Sequence, residues 1–210
     1  MKKVSLLQII IHAGGWIPQV LIIIDFFSKH LTANPIQAIE QRTGLQALTF
    51  LLLSLACTPL SWLMNWKELL IRRKALGLYG FMYAFIHLFI FLGLDYGFNF
   101  NSILKDVGTK TYIILGLLAF LLLLALALTS FKIMMKKMGK NWKKLHRLVY
   151  IISPLVVIHF LLSVKGNIGR LQGNIQQPLL YGSIVILLLV LRLPEIKKLL
   201  LALRKKVIQA

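Results

Sequence analysis

The segment Trp142-Lys-Lys-Leu-His-Arg-Leu-Val-Tyr150 runs directly into Ile151-Ile-Ser-Pro-Leu-Val-Val-Ile-His-Phe-Leu-Leu-Ser-Val164. A basic, aromatic edge carrying His146 opens onto an apolar run with His159 in its interior. A second apolar run holds His87, in Tyr83-Ala-Phe-Ile-His-Leu88. A polar ring placed in hydrocarbon needs a partner. Three histidines on two such runs, two of them at nearly equal depth, point to a buried metal or haem rather than to packing alone.

The rest of the chain supports a membrane reading. It is 58% hydrophobic, and its mean hydropathy of +0.79 lies far above that of a soluble domain. Six apolar runs read as transmembrane helices, over 6–27, 45–63, 76–94, 112–130, 148–164 and 179–193. They are continuous rather than alternating, which favours helices over a barrel. The expected fold class is an all-α integral membrane protein, one six-helix domain over 1–210 with short loops. The last run is short, and Arg192 is expected to snorkel to the interface there.

The net charge of +19 is explained by topology rather than by nucleic acid. With the N-terminus inside, the segments around Lys2–Lys3, Lys67–Lys74, Lys132–Arg147 and Arg192–Lys206 carry 19 of the 25 Lys and Arg. Asp25, Glu40, Asp95 and Asp106 fall outside. This positive-inside pattern places both termini in the cytoplasm and attracts anionic lipid. No small-residue cleavage site follows the first run, so it is expected to be retained. The lone Cys57 reads as a small buried hydrophobe.

The loops collect the breakers. Thr32-Ala-Asn-Pro35 is expected as an outer turn leading to a short helix over Ile36–Glu40 at the membrane face. Asp95–Lys110 is expected as a second outer loop. Lys165–Gln177 is a third, whose Gly166, Gly169 and Gly173 do not form a dinucleotide fingerprint, since no strand precedes them.

Depth can be counted along the helices. His87 lies 13 residues after Lys74 and His159 lies 12 after Arg147, roughly 18–20 Å in from the same basic belt. Two imidazoles at one depth on two helices can ligate the two faces of one planar macrocycle. Arg73 lies fourteen residues before His87, about four turns, so the two share a helix face. His146 lies 13 before His159, about 3.6 turns, which leaves ideal side chains on different faces unless Pro154 bends the helix. A second haem nearer the cytoplasm would take His146 as one ligand and pair Arg73 with a propionate. Its other iron ligand is not evident. His12 either lines a quinone or flavin site, serves the inner haem, or bonds a neighbouring helix; His30 reads as solvated. No Cys-x-x-Cys-His occurs, so any haem is b-type.

Several segments, in order, carry a resemblance: Asn34-Pro-Ile-Gln-Ala-Ile-Glu40, Arg42-Thr-Gly44, Leu55-Ala-Cys-Thr-Pro-Leu60, Arg72-Arg-Lys-Ala-Leu-Gly-Leu-Tyr79, Ala84-Phe-Ile-His-Leu88, Leu126-Ala-Leu-Thr-Ser130, Trp142–Tyr150 and Gln177-Pro-Leu-Leu-Tyr181. Together they resemble the MsrQ (YedZ) family, the haem-binding membrane subunits of the periplasmic methionine sulfoxide reductase system, in the ferric reductase-like transmembrane group. The resemblance maps the family's histidines onto His87, His146 and His159. The fourth histidine of the wider group falls at Arg73 and is absent. It implies one or two haem b groups, and FMN with no residues assigned to it. It further implies a place in the bacterial inner membrane and electrons drawn from the quinone pool or a cytosolic flavin reductase. They would leave to a periplasmic molybdenum-containing catalytic subunit (MsrP-like) that repairs methionine sulfoxide. With outer loops too short for a catalytic domain, this chain is expected to carry electrons without its own substrate-reducing site. The competing readings are a ferric or cupric reductase module and a non-redox membrane protein.

Overall fold

A computed structural model describes residues 4–164, 166–167 and 172–209; the side chains of 166, 167, 172, 173 and 205–209 are outside that description. Lys165, Gly169 and Arg170 of the third expected loop, and Lys2 and Lys3, lie outside the described residues.

The described chain is helical apart from one two-residue strand pair. Helix α1 spans Leu6–Phe27, α2 Pro35–Leu63 and α3 Glu68–Ile90, which continues through a π-turn at Phe91–Asp95. Then come α4 (Phe100–Thr109), α5 (Thr111–Leu128), α6 (Lys132–Met138), α7 (Lys140–Leu145), a 3-10 turn at His146–Leu148 and α8 (Val149–Ser163). Strands β1 (Gly166–Asn167) and β2 (Gln172–Gly173) pair antiparallel, followed by α9 (Gln176–Val190) and α10 (Pro194–Gln209). Five helices are long and apolar enough to cross a membrane, and six if the bent pair α9–α10 is counted as one span.

Helix α2 is the centre of the bundle. Asn34 caps it, accepting from the Gln37 amide, and Pro35 sits at its first turn where a missing N–H costs nothing. The short helix expected over Ile36–Glu40 is therefore not separate. It is the first part of a continuous 29-residue helix, because Ile39 and Thr43 are buried rather than interfacial. The Thr43 hydroxyl, fully buried, donates to the Ile39 carbonyl at 2.9 Å. Ile39 packs with Ile22 of α1 and Ile90 of α3.

Helices α2 and α3 approach closely through Gly80. A Cβ there would lie 3.3 Å from the Ala47 carbonyl oxygen and the Leu51 nitrogen. Beside this contact the Phe50 and Tyr83 rings stack at 5.6 Å, and the fully buried Tyr83 donates its hydroxyl to the Gly15 carbonyl of α1 at 2.9 Å.

The expected loop over Asp95–Lys110 also contains a helix, α4, capped by Asn99 accepting from Ser102. The chain reaches it through two left-handed residues, Gly97 (φ 53°) and Phe98 (φ 57°). The second is costly for a bulky side chain. Its ring is accommodated against Gly93, where a Cβ would come within 3.1 Å of it. At the other end of α4, Lys110 holds the Asp106 carboxylate at 2.6 Å and Tyr96 donates to the same oxygen. Lys110, then Tyr96, hold the Asp106 carboxyl below its usual range. Burial, then the bond to Asp106, push Tyr96 up to about 12. With a depressed carboxyl, the cluster's contribution is present above the ordinary Asp pKa and is lost as pH falls through the folded value.

Helices α3 and α8 do not pack chiefly on each other. Both pack against α2 and α5, which wall the space between them. At one end of the bundle Ser5, Glu68 and Arg72 cluster, tying α1 to α3. At the opposite end Arg42 pairs with Asp25, tying α1 to α2.

Replacing Gly80 with Val should force α3 away from α2 at the cost of about 1–3 kcal/mol. A lower thermal unfolding midpoint in detergent is expected, whereas an unchanged midpoint would contradict the close approach.

Candidate functional site

The space between α3 and α8 is occupied at one end by His87 and His159. Their ring centroids are 6.3 Å apart, with ring planes at 81°. Each ring is fixed by the same device. His87 Nδ1 lies 2.9 Å from the Glu40 carbonyl of α2, and His159 Nδ1 lies 2.7 Å from the Tyr112 carbonyl at the start of α5. A carbonyl only accepts, so each Nδ1 is the protonated nitrogen. Each Nε2 keeps its lone pair, which is the tautomer that a metal-binding histidine requires.

The Cε1–Nδ1 edge of each ring rests on a glycine. A Cβ at Gly44 would lie 3.2 Å from the His87 ring, and one at Gly116 would lie 2.7 Å from the His159 ring. Any side chain at either position would move the imidazole. The rings are thus placed by two carbonyls and two glycines, from α2 and α5, the helices that wall the gap.

The spacing fits a haem iron that His87 and His159 would hold between them: a metal–imidazole bond is about 2 Å and the ring centre about 1 Å further, so two rings on one iron would have centroids roughly 6 Å apart. A bare ion would need three or four protein ligands. Among the described residues no group of three or more His, Cys, Asp or Glu side chains gathers in that way.

Toward the other end of the gap lies a cavity of about 570 Å³. Arg73, Lys74, Lys143, His146, Arg147 and Arg192 supply its basic lining, among apolar side chains that include Leu51 and Phe81; among the described residues no carboxylate lines it. Arg73 and His146, linked by the sequence to one inner site, are brought together here. The 3-10 turn at His146–Leu148 explains how. Three residues wound at 3.0 per turn instead of 3.6 add about a sixth of a turn. That moves His146 toward the face of His159. His146 Nε2 lies 3.2 Å from the Thr129 hydroxyl, and its ring packs on Trp142 at 4.1 Å. The Trp142 indole in turn donates to the Thr129 carbonyl at 2.9 Å.

Arg192 does not snorkel as expected. It turns inward, donating to the Leu55 carbonyl at 2.6 Å and to the Tyr150 hydroxyl at 2.8 Å, over whose ring it lies at 5.0 Å. Pro59, four residues after Leu55, has no N–H to give that carbonyl. The guanidinium fills the vacancy. Its buried Nε has no partner among the described residues.

His12 does not reach this cavity. Its Nδ1 lies 2.8 Å from the Tyr79 hydroxyl, joining α1 to α3, and it lines a separate groove on α1. The helix–helix bond is thus seen, and a ligand role in the inner cavity is not.

Residues that sequence reading missed are Gly44, Gly116, Arg192 and Trp142, together with the carbonyls of Glu40 and Tyr112. Pro59 was the available signal for Arg192. Carbonyl acceptors on neighbouring helices leave no signal in a sequence.

The chain matches the family described as "Ferric reductase like transmembrane component" over residues 43–158. That stretch begins beside Gly44 and includes Arg73, His87, Gly116 and His146. It is also 37% identical over 191 residues to the "Protein-methionine-sulfoxide reductase heme-binding subunit MsrQ" of Herminiimonas arsenicoxydans, covering 90% of this chain and 85% of that one. With a family match over more than half its length and this similarity along nearly all of it, the chain belongs to the ferric reductase-like transmembrane family, in its MsrQ branch.

Proposed function

We propose that this protein is the haem b-containing membrane subunit of a methionine sulfoxide reductase system, and that His87 and His159 are its axial ligands. The observation that carries this reading is the pair of facing imidazoles, each with Nδ1 spent on a helix carbonyl and Nε2 free. The haem-binding role in the relative's name agrees with it. Haem iron supplies one-electron chemistry in a site from which water is excluded. The protein's own part is to fix the rings, exclude competing ligands and set the depth of the site.

The cavity around Arg73, His146 and Arg192 suits a planar group bearing anions. A second haem would take His146 toward iron in place of its contact with the Thr129 hydroxyl, and Arg73 toward a propionate; FMN would set its phosphate among the same cations. Fourteen residues separate Arg73 from His87 on α3, about 21 Å along the helix. Two groups in the one gap would therefore carry electrons lengthwise between the two ends of the bundle.

In this reading the chain spans the bacterial inner membrane six times with both termini cytoplasmic, as the distribution of Lys and Arg supports. Electrons enter at the basic end from the quinone pool or a cytosolic flavin reductase. They leave at the opposite end to a periplasmic, MsrP-like molybdenum subunit, which performs the reduction of methionine sulfoxide. The short segments between helices at that end support the division of labour: this chain delivers electrons and the partner does the substrate chemistry.

His87→Ala and His159→Ala should each abolish the b-type reduced-minus-oxidised signal assigned to the outer half, while His146→Ala should leave it in place. The test is the visible spectrum of purified protein with a haemochrome count per chain; a full signal in both single variants would overturn the ligand pair. Gly116→Val removes no ligand but displaces the His159 ring, and haem retention should weaken by about 10–100-fold, as for other losses of ligand support. Retention equal to that of the parent protein would show that the glycine contact is incidental.

A further inference from the structure

The last helix has no part in the site described above, and its geometry points to a different partner. Helix α10 leaves α9 at an angle of 81°. The corner is built from Leu191, Arg192 and Leu193. The amides of Arg192 and Leu193 bond back to the carbonyls of Leu189 and Val190, each at 3.0 Å, and Pro194 opens the new helix. Two arginines then bind α10 across the end of α2. Arg192 donates to the Leu55 carbonyl at 2.6 Å, and Arg204, ten residues into the helix, donates to the Trp62 carbonyl at 3.1 Å. The bend is therefore held at both ends; taking α9 with its corner as the sixth crossing, α10 at 81° to it runs in the membrane plane.

The side chains of α10 divide accordingly. Ile196, Leu200 and Arg204 recur every four residues and are half-buried against the bundle. Leu199 and Leu203 form a neighbouring ridge, yet they are 56% and 50% exposed. Lys197 and Lys198 are also exposed and lie more than a quarter-turn away from that ridge. Over 194–206 the sequence carries five basic residues against the single acid Glu195. An apolar ridge left uncovered on an in-plane helix, opposite a basic face, is the pattern of a helix seated at a lipid interface.

We infer that α10 is an interfacial helix which sets Leu199 and Leu203 into the acyl layer and holds anionic phospholipid headgroups with its lysines. The occupant is lipid rather than a protein partner for two reasons. Exposed apolar side chains run along the chain from Ile186 and Leu187 of α9 through Leu193 at the corner to Leu199 and Leu203, and the flanking charge complements an anionic leaflet. Because Arg192 both makes the corner and lines the inner cavity, this seat also fixes the edge of that cavity.

The test uses the full-length protein in nanodiscs. Cys57 is the only cysteine, so Cys57→Ala with Leu203→Cys, Leu199→Cys or Lys198→Cys places one nitroxide at each position, and an unaltered haem spectrum verifies each fold. Labels at 203 and 199 should collide with oxygen and avoid a water-soluble nickel chelate; the label at 198 should do the reverse. Amide exchange of unlabelled protein across 195–204 should slow several-fold when a third of the neutral phosphatidylcholine is replaced by phosphatidylglycerol, and high salt should remove that gain. Labels at 203 and 199 that are as accessible to nickel as the label at 198 would overturn the inference. So would labels shielded from both reagents, which would mean a protein cover, or exchange that is indifferent to lipid charge.

Discussion

An imidazole inside a membrane has two nitrogens to satisfy and no water to do it. At His87 and His159 the helix backbone satisfies one nitrogen of each ring, through the Glu40 and Tyr112 carbonyls, and leaves the other for a ligand. The rest of the architecture serves that condition. Helix α2 must run on past the expected span to bring Glu40 level with His87. Helix α5 must begin where Tyr112 meets His159. Gly44 and Gly116 must stay bare so that the rings can lie back against their helices. The π-turn that ends α3 and the short α4 then return the chain to α5 at the right height.

A second constraint is proline inside a helix, which leaves a carbonyl without its usual donor. At Pro59 the orphan is Leu55, and Arg192 from the far end of the chain answers it. In doing so the arginine is drawn away from the membrane surface and into the wall of the basic cavity. That repair is how Arg192 joins the other cations lining the cavity, where among the described residues no carboxylate stands beside them. A negatively charged occupant would relieve their mutual repulsion, which is the physical ground for placing an anionic cofactor there.

Much of this was legible in the sequence, for a simple reason. Depth along a membrane helix is residue count times a fixed rise, so His87 and His159 could be matched from the basic residues that precede them. The angular position of His146 was not legible, because three residues of 3-10 winding change the phase and nothing in His146-Arg-Leu148 announces them. Helix α4 was hidden because Asp95–Lys110 is polar and glycine-bearing, yet Asn99 caps it and Ile103 anchors it to the bundle. The interfacial helix expected before the second span dissolved into α2, because Ile39 and Thr43 face other helices. The role of Arg192 was misread from its position near the end of an apolar run, since tertiary contact with α2 outweighs proximity to the surface. The perpendicular course of α10 likewise depends on two long-range arginine–carbonyl bonds that no local pattern encodes.

The relation between the two imidazole planes is open to direct measurement. Axial rings near perpendicular, here at 81°, give ferric haem a strongly anisotropic low-spin electron paramagnetic resonance signal, whereas parallel rings give a rhombic one. Frozen oxidised protein should show the anisotropic low-spin signal, and it should vanish on replacing either His87 or His159. A high-spin spectrum, or a low-spin signal that survives both replacements, would contradict the assignment of this pair as the haem ligands.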